Sequence, residues 1–113
     1  FFKINNKENK FFKHIKKNIL ELHIAHNEGN YFCSQSEIKE IEDNNQIALY
    51  YCNDQGQVEE TYNPNGSIKN IAGIFNKKKN VLGMMPHPER ATCEITKLSD
   101  GENLFKSISE FLL

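Results

Sequence analysis

Leu104, Phe105, Ile108 and Leu112 form an apolar stripe at helical spacing that closes a chain whose earlier apolar segments are short and strand-like. Ser99-x-x-Glu102 has capping-box spacing and starts this amphipathic helix, whose stripe is expected to pack on a core. Upstream, turn residues divide the chain. Asn18–Ala25 reads as a strand with Ile19, Leu22 and Ile24 partly buried, after a Lys- and Asn-rich lead of unassigned structure, and Asn27 to Asn30 then turns. Ser34-x-x-Glu37 caps a short helix with Ile38 and Ile41 on its apolar edge, ended by Asn44-Asn45. Gln46–Tyr51 follows as a strand, Asp54-Gln-Gly56 turns, and Gln57–Tyr62 is expected to return as the second strand of a hairpin. Asn63-Pro-Asn-Gly-Ser67 is a dense turn signal before strands at Ile68–Phe75 and Val81–Met85, joined by the polar connector Asn76–Asn80. Strands with so few helices cannot cover both faces of an α/β sheet, so the chain reads as half of such a fold.

The 113 residues suit one modest domain or part of a larger one. Hydrophobic content of 38% with 26% charged residues describes a globular chain, and no apolar run approaches the roughly 20 residues that cross a bilayer. A cytoplasmic protein is the expectation. With 14 basic and 15 acidic residues, the net charge of −1 gives no electrostatic reason to expect nucleic acid or an anionic membrane as partner. Lys16-Lys17 and Lys77-Lys78-Lys79 read as solvated surface. Three cysteines without close pairing imply reduced thiols, and no Cys or His spacing suggests a metal. The first residue is Phe1, so a longer natural chain is expected.

Chemistry concentrates in Pro86-His87-Pro88-Glu89-Arg90, entered through Val81–Met85. Proline fixes its own φ near −65° and drives the residue before it toward extended conformations, so the alternating prolines hold this stretch extended. Side chains of an extended chain alternate, which puts His87 and Glu89 on one side. A carboxylate there can hold the imidazole in one tautomer and stabilise its protonated form, as a nucleophile's base requires. Met84 and Met85 are expected to fill gaps beneath it.

Met84-Met85-Pro86-His87-Pro88-Glu89-Arg90-Ala91 closely resembles the C-terminal catalytic motif of the glutamine amidotransferase component of phosphoribosylformylglycinamidine synthase, a class I glutamine amidotransferase of purine biosynthesis. Ile24–Tyr31 resembles that family's Ala-His-Gly-Glu-Gly segment, with Asn27 where the family has glycine. Tyr62-Asn-Pro-Asn-Gly-Ser67 with Ile71-Ala-Gly-Ile74 resembles its Asn-Pro-Asn-Gly-Ser element and following strand. The order and spacing of the motifs also match, from about Ile19 to Leu112. The resemblance implies an α/β fold, the C-terminal part of a flavodoxin-like three-layer amidotransferase domain, with residues 1–113 forming a partial domain. It implies a glutaminase that releases glutamate and ammonia from L-glutamine without a cofactor of its own. A synthetase subunit, with a small accessory subunit, would consume the ammonia using ATP and Mg. His87 would be the catalytic base, Glu89 its orienter, and His26 and Glu28 would line the glutamine pocket.

The family's nucleophilic cysteine sits on a glycine-flanked strand-to-helix elbow, where sulfur is exposed and its pKa falls. Cys33, Cys52 and Cys93 have no adjacent glycine. The chain is therefore expected to carry only the His and Glu of the triad and to be inactive alone. Two alternatives remain open: part of the C-terminal domain of a single-chain large synthetase, or a non-catalytic docking fragment. Either way, a half-sheet would expose edges that invite self-association.

Overall fold

The computed structural model describes residues 1–5, 8–22, 33–64, 66–84 and 100–112. Among the described residues, five strands form one sheet: β1 (Phe2–Ile4), β2 (Ile19–Leu20), β3 (Ile47–Tyr51), β4 (Ile71–Phe75) and β5 (Leu82–Met84), in the order β2-β1-β3-β4-β5. Every pairing is antiparallel. With these strands the described residues form two α-helices, α1 (Gln35–Asp43) and α2 (Asp100–Leu112), in a mixed α/β architecture.

The register of β3 on β4 decides which residues face each helix. Ile47 pairs with Ile74, Leu49 with Gly73 and Tyr50 with Ile71, so β3 carries one extra residue and β4 then carries one in compensation. Strict alternation is lost on both strands. Ile47, Ile71, Tyr50 and Ile74 gather with Ile38 and Ile41 of α1 on one face. Ala48, Leu49, Tyr51, Ala72 and Phe75 gather on the other with Leu104 and Ile108 of α2. The two described helices thus lie one against each face of the central strands. Gly73 sits where the shifts meet, and there Leu49 occupies the space a side chain would need.

The Lys- and Asn-rich lead turns out to contribute much of the larger core. Phe2 and Ile4 are buried on β1, and Phe11, Phe12 and Ile15 are buried on and just after the Lys10–Phe12 3-10 turn. Phe11 and Phe12 both pack against Phe75, with ring centroids 5.8 and 5.9 Å away, within the range of favourable aromatic pairs.

Ser34 caps α1 as its spacing predicts, accepting from the Glu37 N–H at 3.2 Å, and Asn45 leaves the helix with φ 55°. The expected return strand at Gln57–Tyr62 does not form. Glu60–Tyr62 is a 3-10 turn instead, because β1 and β4 already occupy both edges of β3 and the exposed Glu59–Tyr62 stretch has no apolar face to bury. The expected strand at Ile68–Phe75 begins only at Ile71, since Lys69 and Asn70 both have positive φ. On β2 the inward side belongs to Leu20, followed by buried Leu22, while Ile19 is half-buried; Ile24 lies outside the described residues. In α2 the buried face runs through Leu104 and Ser107, and Phe105, one residue round the helix, is 42% exposed rather than part of the core.

Candidate active site

Strand direction gathers the motif-bearing segments. β1 is antiparallel to both β2 and β3, and β4 to both β3 and β5, so β2, β3 and β5 run the same way. The chain toward His26 and Glu28 leaves past the carboxyl end of β2. The Tyr62–Ser67 element lies in the connection from the carboxyl end of β3 to the amino end of β4, and the His87 segment follows Met84 at the carboxyl end of β5. All three exits are therefore at one end of the sheet. β2 and β5 are its outermost described strands, separated by four spacings, about 19 Å.

The middle exit is organised by two asparagines. Asn53, just beyond β3, accepts from the Gln55 and Gln57 N–H groups at 2.9 and 2.8 Å and donates to Gln57 Oε1 at 2.8 Å. Its side chain thereby imitates a backbone turn, and Gly56 supplies the φ of 82° that the turn needs. Asn63 accepts from the Gly66 N–H at 3.0 Å and donates to the Ser67 carbonyl at 2.8 Å and to Asn70 Oδ1 at 3.0 Å. These bonds span the Asn-Pro-Asn-Gly-Ser element and hold Asn70, which with Lys69 sits in left-handed backbone at φ 62° and 49°. Such conformations cost non-glycine residues roughly 1 to 2 kcal/mol each and persist where neighbours fix them. Glu42 of α1 pairs with the Lys69 ammonium and tethers the same turn from outside. The sequence does not announce the left-handed pair because Lys carries no turn signal; Asp54-Gln-Gly56 was legible as a turn, while the part of Asn53 in holding it was not.

His26 and Glu28 lie within residues 23–32, and His87, Glu89, Arg90 and Cys93 within 85–99, outside the described residues. Met84 is half-buried against the larger core, and Met85 lies outside the described residues. Cys52 is buried, and desolvation pushes its thiol pKa up, which disfavours the nucleophilic thiolate. Cys33 is half-buried immediately before the Ser34 cap of α1. Among the described residues no group of three or more His, Cys, Asp or Glu side chains could hold a metal ion. No described helix is long and apolar enough to cross a membrane.

Residues 1–109 match the family model of the CobB/CobQ-like glutamine amidotransferase domain. The chain belongs to that family. The chain is 62% identical over 108 residues to phosphoribosylformylglycinamidine synthase subunit PurQ of Pelagibacter ubique, covering 96% of this chain and 48% of that protein. It is 44% identical over 107 residues to the subunit of the same name from Aquifex aeolicus, covering 94% and 47%. Among solved structures, one described as the structure of PurLQS from Thermotoga maritima superposes with a TM-score of 0.74 at 32% identity, over 99% of this chain and 45% of that one. The chain thus spans about half the length of the curated relatives it matches. Its mixed α/β fold and its antiparallel sheet match a solved relative along almost the whole chain.

Proposed function

We propose that this chain serves the glutaminase of a phosphoribosylformylglycinamidine synthase in purine biosynthesis, and that it carries the His and Glu of the catalytic triad. The observation that carries the reading is the exit of all three motif-bearing segments at one end of the sheet, in a chain 62% identical to a PurQ subunit. A cysteine supplied from outside these 113 residues attacks the side-chain amide of L-glutamine. His87 takes the thiol proton and returns it to the leaving ammonia, Glu89 orients the ring, and water then releases glutamate from the thioester. Positioned proton transfer of this kind contributes about 10² to 10⁴ in rate. His26 and Glu28 line the glutamine pocket. The ammonia goes to a synthetase subunit, assembled with a small accessory subunit in the cytoplasm, which activates its amide substrate with ATP and Mg.

The test is release of glutamate from glutamine. The purified 113-residue chain is expected to show none, and a polypeptide bearing the glycine-flanked cysteine is expected to restore turnover when co-expressed with it. In that reconstituted pair, His87→Ala lowers kcat by at least about 10²-fold. Turnover by the chain alone that Cys93→Ser abolishes would overturn the external nucleophile, and full activity of His87→Ala would overturn the triad.

A further inference from the structure

We propose that Asn63 guards the chain against deamidation at Asn65-Gly66, a self-modification site in the connection between β3 and β4. Asn65-Gly66 is the only Asn-Gly pair in the sequence. An asparagine loses its side-chain amide when the main-chain nitrogen of the next residue attacks it, and glycine hinders that attack least because it has no Cβ. The Gly66 nitrogen gives up its proton and bonds to Asn65 Cγ, and Nδ2 takes up a proton and leaves as ammonia. Water then opens the five-membered succinimide at either carbonyl, leaving aspartate or isoaspartate. One water is consumed and one ammonia is released, so the step needs no oxidant, reductant or further reactant.

The geometry shows what opposes the first step. The Gly66 N–H, whose proton has to leave, donates to Asn63 Oδ1 at 3.0 Å. Once deprotonated, that nitrogen would face an oxygen lone pair in place of a hydrogen bond, so the bond must break before attack and its net worth adds to the barrier. Asn63 is itself fixed. Its Nδ2 donates to the Ser67 carbonyl at 2.8 Å and to Asn70 Oδ1 at 3.0 Å, so its amide cannot swing away from Gly66 without breaking both. Gly66 is exposed, with φ 74°, and burial does not shield it from water. Protection rests on the one acceptor. Isoaspartate would add a methylene to the main chain inside the span that Asn63 bridges, so the modification, once made, also disrupts its own guard.

The test incubates the chain at neutral pH and follows Asn65 by peptide mapping, with the free peptide of residues 61–68 as reference. The parent is expected to deamidate at least about twofold more slowly than the peptide. Asn63→Ala, which removes the acceptor, is expected to speed the loss by about two- to tenfold, whereas Asn63→Asp keeps an acceptor oxygen and should be no faster than the parent. Circular dichroism establishes that each variant is folded. Where a variant unfolds, the parent decides alone, through a second reading: its Gly66 amide should exchange hydrogen more slowly than the same amide in the peptide. Deamidation or amide exchange in the parent as fast as in the peptide, or a folded Asn63→Asp as fast as Asn63→Ala, would overturn the proposal.

Discussion

Gly73 of β4 approaches Leu49 of β3 so closely that a Cβ on Gly73 would stand 3.3 Å from Leu49 Cδ1 and 3.3 Å from the Gly83 carbonyl oxygen. One of these neighbours is a buried side chain and the other is backbone of the adjacent strand, so little can yield. Gly73→Ala is expected to destabilise the fold by about 1 to 3 kcal/mol through overpacking. Chemical denaturation of the two chains measures it, and an unchanged midpoint would mean that the sheet relaxes there freely.

The two apolar neighbours in α2 should respond differently to truncation. Leu104 is 1% exposed within the larger core, so Leu104→Ala is expected to cost about 2 to 5 kcal/mol. Phe105 is 42% exposed, and Phe105→Ala should stay within about 0.5 kcal/mol of the parent. Comparable losses from both would show that the helix is rotated relative to the described packing.

Lys79 turns the β4–β5 connector with φ 58°, and its N–H donates to the Asn76 carbonyl at 3.0 Å. Glycine keeps that bond and adopts the conformation without steric cost, so Lys79→Gly should raise stability by up to about 1 kcal/mol. Thermal melts check the sign, and Lys79→Ala, which keeps the Cβ, should give no such gain.

Much of this fold was legible in the sequence where a local signal and its burial agreed. Ser34 and Glu37 announce α1, Asn76–Asn80 announces a hairpin, and the spacing of Leu104 and Ile108 announces α2. What could not be read depended on partners far along the chain. Phe2 and Ile4 look unremarkable in a Lys- and Asn-rich lead until β1 pairs with β3, nearly fifty positions away, and that same pairing removes the edge that Gln57–Tyr62 would have needed. The paired register shifts of β3 and β4 likewise leave no trace in either strand taken alone. For the candidate site, sequence supplied the residues, and strand direction puts the exits of the described strands that lead toward them at one end of the sheet. His26, Glu28, His87 and Glu89 themselves rest on motif resemblance.

Glu110 gives the fold an acid-sensitive fastening. Hydrogen bonds from Lys13 and then His14 hold its carboxyl below the usual carboxylate range. A group whose pKa is lowered on folding contributes stability above its unfolded pKa, about 4.3 for Glu, and loses it as pH falls through the folded value. Stability should therefore fall with acidification below about pH 5, and Glu110→Gln should flatten that fall. The pair is exposed, so added salt should shrink the difference. Denaturation midpoints across the acid range test both points, and identical acid limbs for the two chains would remove Glu110 from the account.

The described thiols should label at different rates. Cys33 is half-buried, whereas Cys52 is buried with its pKa raised by desolvation, so under native conditions an alkylating reagent should reach Cys33 first. Peptide mapping by mass spectrometry separates these sites from Cys93, and faster modification of Cys52 would show that the end of β3 opens readily.

Because β2, β3 and β5 run in one direction, the Asn76–Asn80 connector sits at the opposite pole of the sheet from every motif-bearing exit. That pole is a natural handle. A short affinity epitope or a fluorophore spliced between Lys77 and Lys79 would hang from the far side of the sheet, leaving the end of the motif-bearing exits unencumbered for pull-down or single-molecule observation.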